Sequence, residues 1–283
     1  MTRFLLLLAF LGVAIGAGPA AAQYRGPRSA DHLFAASLWG ARALWQNPAA
    51  LGAVDEASIM LEGLVERDTV GDYPLSQYTI GFNSRGFSLG FRRDFFRVLV
   101  GPADSLISYG GNTWRVGFGR GLGTLGIGAA VSIYSGPKTT QDVDLGLRYQ
   151  IGPGLALSVG VEHIGQPTVR DSSLRFGSGV GVSWTTLNGI LGLDAEVQGH
   201  DKEADGGILM GYRGGLRLRT PGTIPLALTG VLELNSSFDI RRLLIGFAVG
   251  GEYLASLVGG GQVNGTNRLE TISLLGQASR RFR

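Results

Sequence analysis

The stretch Gly121-Leu122-Gly123-Thr124-Leu125-Gly126 has the G-x-G-x-x-G spacing of a dinucleotide-binding turn, and Asp142 and Asp144 follow about twenty residues on, where an acid for the ribose would stand. That chemistry needs a helix whose N-terminus faces the pyrophosphate. Here the turn runs into an alternation: Leu125, Ile127, Ala129, Val131 and Ile133 are apolar, and Gly126, Gly128, Ala130 and Ser132 between them are small or polar. A strand follows, so the motif reads as a glycine-rich turn and no cofactor is expected. His32, His163 and His200 lie far apart along the chain without metal-ligand spacing, so no metal is expected. A Ser-His hydrolase would need both side chains on one strand face or on neighbouring strands, and His163 falls on the apolar register of its strand. Cysteine is absent, which removes thiolate nucleophiles and thiolate metal ligands. With no catalytic constellation left, an enzyme is not expected.

The remaining residues that could do chemistry are charges on the non-apolar face of the alternation: Asp142, Asp144, Arg148, Glu162, Arg175, Asp194, Glu196, Arg213, Arg217, Glu233 and Glu252. Their signs are mixed. Such a set suits a structural network or a polar conduit, and argues against an ion-selective pore, which carries rings of one sign. The formal net charge is only +3 and no run of like charges exists, so nucleic acid is not an expected partner.

The elements that must carry these charges are strands. Val143, Leu145, Leu147, Tyr149 and Ile151 alternate with Asp142, Asp144, Gly146, Arg148 and Gln150; Leu191, Leu193, Ala195 and Val197 alternate with Gly192, Asp194, Glu196 and Gln198. Glycine is 47 of 283 residues, far above the usual ~7%, and is interleaved with Leu, Val, Ile and aromatics, which no helix would survive. A soluble sandwich would place water against a face rich in Thr, Lys and Glu. Here glycine dominates that face, as in a crowded interior, and the runs match the ~9–11 residues of a tilted membrane strand. Long and short connections alternate, as in barrels with short periplasmic turns and longer outer loops. The pattern predicts an all-β, fourteen-stranded antiparallel transmembrane β-barrel over residues 54–283. Twelve strands is the alternative, if "GGEYLASLVGGG" is one bent strand. Strands over 86–93, 112–119 and 174–185 are part of this reading, and residues 101–111, "GPADSLISYGG", form its longest outer loop. Phe82, Phe87, Phe118, Tyr149, Trp184, Tyr253 and Phe282 fall at the short-turn end, where an aromatic girdle belongs.

Ahead of the barrel, residues 1–22 read as a signal peptide: Arg3, an apolar run from Phe4 to Ala17, then Ala20-Ala21-Ala22. This directs the chain to the bacterial outer membrane and its lipid. Residues 23–53 read as a plug. Leu33, Phe34, Leu38, Ala41 and Trp45 recur at helical spacing and Pro48 stops the helix. A barrel of this size is too wide for its wall side chains to fill, so the segment is expected to act as a helical hatch, with Phe34, Trp39 and Trp45 lining a greasy pocket and Asn47 and Pro48 at its turn.

"ARALWQNPAALGAVDEASIMLEGLV" resembles the N-terminal hatch and first strand of the long-chain fatty-acid transporter (FadL-type) outer-membrane proteins, whose Ala-rich helix, Asn-Pro-Ala turn and strand are matched at Asn47, Pro48 and Ala49. "GLALSVGVEHIGQP" and "LRFGSGVGVSW" are similar to the PorV/PorQ-like branch of that superfamily. The resemblance implies a monomer that passes small hydrophobic compounds by diffusion or, alternatively, a partner barrel for secreted or surface-attached protein clients. Two features depart from it: the outer loops are short, and the terminal aromatic Phe282 is followed by Arg283.

Overall fold

The computed structural model describes residues 33–68, 71–100, 105–135, 139–169, 172–201, 207–251, 253–263 and 268–282. The expected signal peptide, the first residues of the expected plug, His32 and Glu252 lie outside them. Fourteen strands pair antiparallel with their neighbours and close on themselves: β1 (Glu56–Glu66), β2 (Leu75–Ser84), β3 (Phe87–Val100), β4 (Ser105–Leu122), β5 (Leu125–Ser135), β6 (Thr140–Gly152), β7 (Leu155–Ile164), β10 (Gly177–Thr186), β11 (Leu191–Asp201), β12 (Ile208–Arg219), β13 (Leu226–Leu234), β14 (Ile240–Gly250), β15 (Tyr253–Gln262) and β16 (Thr271–Arg281). A small hairpin, β8 (Thr168–Val169) with β9 (Ser172–Ser173), sits on the connection between β7 and β10. Strand β16 pairs with β1, from Glu56 opposite Arg281 to Glu66 opposite Thr271, and this seals the cylinder.

Period-2 alternation sets which face is which. On β1, Glu56, Ser58, Met60, Glu62 and Leu64 are buried in the lumen, while Ile59 and Leu61 are more than half exposed on the outside. The same holds around the wall, with Ile80, Leu147, Val180, Leu228, Ile245 and Leu274 all facing out. An apolar outer surface with polar groups inside is a sheet turned for lipid. Of the aromatics expected at the short-turn end, Phe82, Phe87, Phe118, Tyr149, Trp184 and Phe282 are all exposed there.

Strands β14 and β15 are separate, which decides for fourteen strands over twelve. Gly250 ends β14 at φ +112°, a left-handed conformation open to glycine, and its N–H donates to Pro225 O just before the start of neighbouring β13. Three expectations are corrected. First, β3 and β4 run well past 93 and before 112, so Ser105–Gly111 is strand and not outer loop. The pairing of β2 with β3 stops at Asp94 and that of β4 with β5 starts at Asn112, whereas β3 and β4 pair with each other out to Val100 and Ser105. They leave the wall together as a two-stranded ribbon. Freed from having a lumen side and a lipid side, "FFRVLV" keeps β-forming residues without alternating, which hid it. Second, Arg175 precedes β10, which starts at Gly177; its Nη1 donates to the carbonyl of Asp201, the last residue of β11. Third, the pre-barrel segment has no α-helix among the described residues. It forms two 3-10 helices, Gly40–Trp45 and Pro48–Gly52. Pro48 opens the second as its first residue, where a missing N–H costs nothing, and Asn47 caps it by accepting from Ala49 N at 3.0 Å.

Candidate functional site: a filled lumen

Residues 33–52 lie inside the barrel. The first 3-10 helix packs on β1, β2 and β3, and the second on β4, β5 and β6. Leu38, Ala41, Ala43, Leu44, Trp45, Ala50 and Leu51 form one buried cluster with Met60, Ala130 and Leu275 of the wall. Leu44 and Leu51 are fully buried, each worth about 2 kcal/mol to the seated segment. The seat exists because several inward positions of β3 to β6 are glycines. A Cβ at Gly128 would collide with the backbone of Pro48, and one at Gly146 with the side chain of Asn47. Polar groups complete the fit: Ala41 N donates to Ser58 Oγ at 2.9 Å, and Asn47 Nδ2 donates to Leu147 O at 3.3 Å.

The opposite wall meets the start of the segment with charges. Glu196 Oε2 accepts from Ala35 N at 3.0 Å, and Arg213 Nη1 donates to Leu33 O at 3.3 Å. Arg213 also pairs with Glu196 at 3.5 Å and Glu233 at 3.4 Å, and Glu233 lies 4.0 Å from Arg242. Beside this network Phe34 packs with Val231, Leu244 and Val258. Within the segment itself, burial first and the nearby Arg217 second push the Arg42 guanidinium down to about 10, while Glu62 and Glu56 pull it back up.

At the outer end, a third group spans β4 to β7. Asp142 accepts from Tyr134 Oη at 2.9 Å and meets His163 Nδ1 at 2.5 Å; Arg115 binds Asp144, which also accepts from His163 N at 2.7 Å. Glu162 stands 3.7 Å from His200 and 4.0 Å from His163 Nε2. The outward register expected for His163 is therefore wrong. A register shift between Val143 and Leu145 sets a bulge in the β6–β7 pairing, and His163 takes φ +57°, which turns its ring into the lumen. Two of the three histidines, scattered in sequence, thus meet around one carboxylate.

Of the residues singled out from sequence, Phe34, Asn47 and Pro48 are buried in the lumen, Trp45 lies beneath Arg92 with the guanidinium 4.1 Å from its ring, and Trp39 is half-buried beside Arg42. They do not converge on one pocket: Phe34 and Trp45 belong to different clusters. Asp142, Asp144, Asp194 and Glu196 are buried inside, and Arg148 donates to Ala36 O at 3.1 Å. Sequence reasoning missed Arg42, Glu56, Glu62, Arg92, Arg115, His163 and Arg242. Arg115 was legible, since Trp114, Val116 and Phe118 around it all face out. His163 was not, because a bulge leaves no mark on the alternation. Two polar depressions of about 260 and 250 Å³ flank Gly52 at the short-turn mouth, bordered by Asp55, Arg85 and Arg120 in one and by Arg148 and Gln150 in the other.

A closed antiparallel cylinder with an apolar exterior and an N-terminal segment seated in its lumen is the architecture of a transmembrane β-barrel. Comparison with solved structures agrees on the fold. The Pseudomonas putida toluene transporter TodX superposes with a TM-score of 0.55 at 11% identity, covering 87% of this chain and 94% of that one. The CymD monoaromatic hydrocarbon channel gives 0.55 at 10% identity, over 89% and 95% of the two chains. A Pseudomonas aeruginosa FadL homologue gives 0.51 at 9% identity, over 88% and 94%. No protein-family model and no curated protein matches the sequence.

Proposed function

We propose that this barrel is a non-enzymatic, monomeric channel through which small hydrophobic compounds cross the outer membrane passively, with residues 33–52 as its hatch. The observation that carries the reading is the way this segment is held. It occupies the lumen through apolar contact with a glycine-lined seat and a few hydrogen bonds, so it can leave as a unit without breaking the wall. Phe34, buried against Val231, Leu244 and Val258, is the apolar contact that a ligand on the far side would replace as the hatch leaves, and Trp39, half-buried, lies near it in sequence. Trp45, Asn47 and Pro48 hold the hatch in its seat. The inward charges keep wall and hatch in register. The likeness in fold to monoaromatic hydrocarbon channels supports a ligand of that class. A closed barrel has no free strand edge to pair with a second copy, which supports a monomer.

The test is uptake of a labelled monoaromatic hydrocarbon into vesicles with a lipopolysaccharide outer leaflet. The intact protein should speed uptake over empty vesicles, and deletion of residues 33–52 should raise it by about tenfold, since an unplugged lumen of this width stays open. No difference from empty vesicles in either case sinks the proposal. A second reading, a partner barrel for secreted protein clients, draws support from the β3–β4 ribbon that stands beyond the wall. Client proteins cross-linked at that ribbon, together with no uptake, would favour it.

A further inference from the structure

We propose that Asp142, Asp144 and His163 hold one divalent transition-metal ion at the outer end of the lumen, tying β6 to β7 at the bulge. The placement comes from two local features. Asp142 and Asp144 are two apart on β6 and so share its inward face. The bulge then brings His163 of β7 to the same face, and its backbone N–H fixes Asp144 Oδ1. One ligand atom from each residue lies within 4.8 Å of the other two, and all three residues are buried.

A second observation points to a ligand. Asp142 Oδ1 and His163 Nε2 are buried without a hydrogen-bond partner, on side chains with 0% and 4% exposure. Ser132 faces Asp142 across the strand pair and Glu162 faces His163 Nε2 at 4.0 Å, and a bound cation would take up the lone pairs these neighbours leave. The charge also fits. Against two carboxylates stands one guanidinium, that of Arg115 on Asp144, which leaves one negative charge when the imidazole is neutral. Arg115 and Tyr134 meanwhile do what the outer contacts of a metal site do: they hold the ligating carboxylates in position. One imidazole nitrogen with two carboxylate oxygens suits Zn²⁺, Mn²⁺ or Fe²⁺, and an all-oxygen cage for Ca²⁺ or Mg²⁺ is not what the site offers. Glu162, with Oε2 at 4.0 Å from His163 Nε2, stands next in line.

The experiment uses full-length, tag-free protein in detergent, stripped with chelator and then titrated with Zn²⁺ and with Co²⁺. One equivalent of metal should bind, the Co²⁺ complex should absorb in the visible, and Zn²⁺ should raise the unfolding temperature. Asp142→Asn and His163→Gln keep side-chain size and should each weaken binding at least ~10-fold and abolish the Zn²⁺-dependent thermal shift. Wild-type protein that takes up no metal, or variants that bind as tightly as wild type, would overturn the proposal. Should the variants not fold, Cu²⁺ bound to the wild type decides by electron paramagnetic resonance: coupling to a single imidazole nitrogen supports the site, and coupling to none or to two refutes it.

Discussion

The wall of β1–β6 and the wall of β10–β15 enclose the same lumen and fill it by different means. The first makes room: its inward glycines let backbone approach backbone, and the 3-10 helices of residues 40–52 occupy the space. The second keeps more of its side chains, with Gly215 alone yielding to Phe34 among the contacts described, and matches their charges: Glu196, Arg213, Glu233 and Arg242 form one network that meets the segment at Leu33, Phe34 and Ala35. Shape holds the hatch on one side and charge on the other. Shape is unforgiving of added volume. A buried charge network is unforgiving of a missing partner, since what remains is an uncompensated charge.

The largest expected effect is on the charged side. Arg213→Ala takes the guanidinium away from buried Glu196 and from Glu233, which keeps Arg242, and should cost about 3–5 kcal/mol, read by urea unfolding of the barrel in micelles; a loss under 1 kcal/mol would mean that water already screens the network. Next comes Gly128→Leu, which pushes a side chain into Pro48. A loss of about 1–3 kcal/mol is expected, together with new protease cleavage at Arg42 as the hatch leaves. Continued protection of Arg42 in that variant would show the seat to be looser than the contacts imply. Asn47→Ala removes the cap on Ala49 and the bond to Leu147 O, for about 1 kcal/mol, and should increase hydrocarbon uptake modestly with the wall intact. The smallest effect sharpens the contrast: Gly230 on β13 has open space where a Cβ would go, so Gly230→Ala should shift stability by no more than about 0.5 kcal/mol. An Ala there as harmful as Leu at Gly128 would mean that glycine serves the wall itself and not the hatch.

Most of the fold was readable in the chain because lipid outside and a lumen inside impose a two-residue period on every wall strand, and Ile59-Met60-Leu61 or Trp114-Arg115-Val116 carries that period openly. Where one of those constraints lapses, legibility lapses too. The β3–β4 ribbon leaves the wall and loses its alternation. Residues 33–52 have helical spacing, yet they fold as 3-10 turns because the narrow gap between glycine faces, and the Asn47-Pro48 cap, dictate their path.

The amino-acid sequence by itself determined the barrel, a strand number of fourteen or twelve, the face shown by wall residues in regular register and the presence of something to fill the interior, because these follow from local periodicity and composition. The tertiary structure alone decided which glycines receive which part of the hatch, that Phe34 and Trp45 lie in separate clusters, and that His163 turns inward to Asp142 and Asp144. Those are contacts between residues far apart in the chain, as Leu33 and Arg213 are at 180 positions, and a single bulge in one strand pair changes them without altering the pattern a sequence displays.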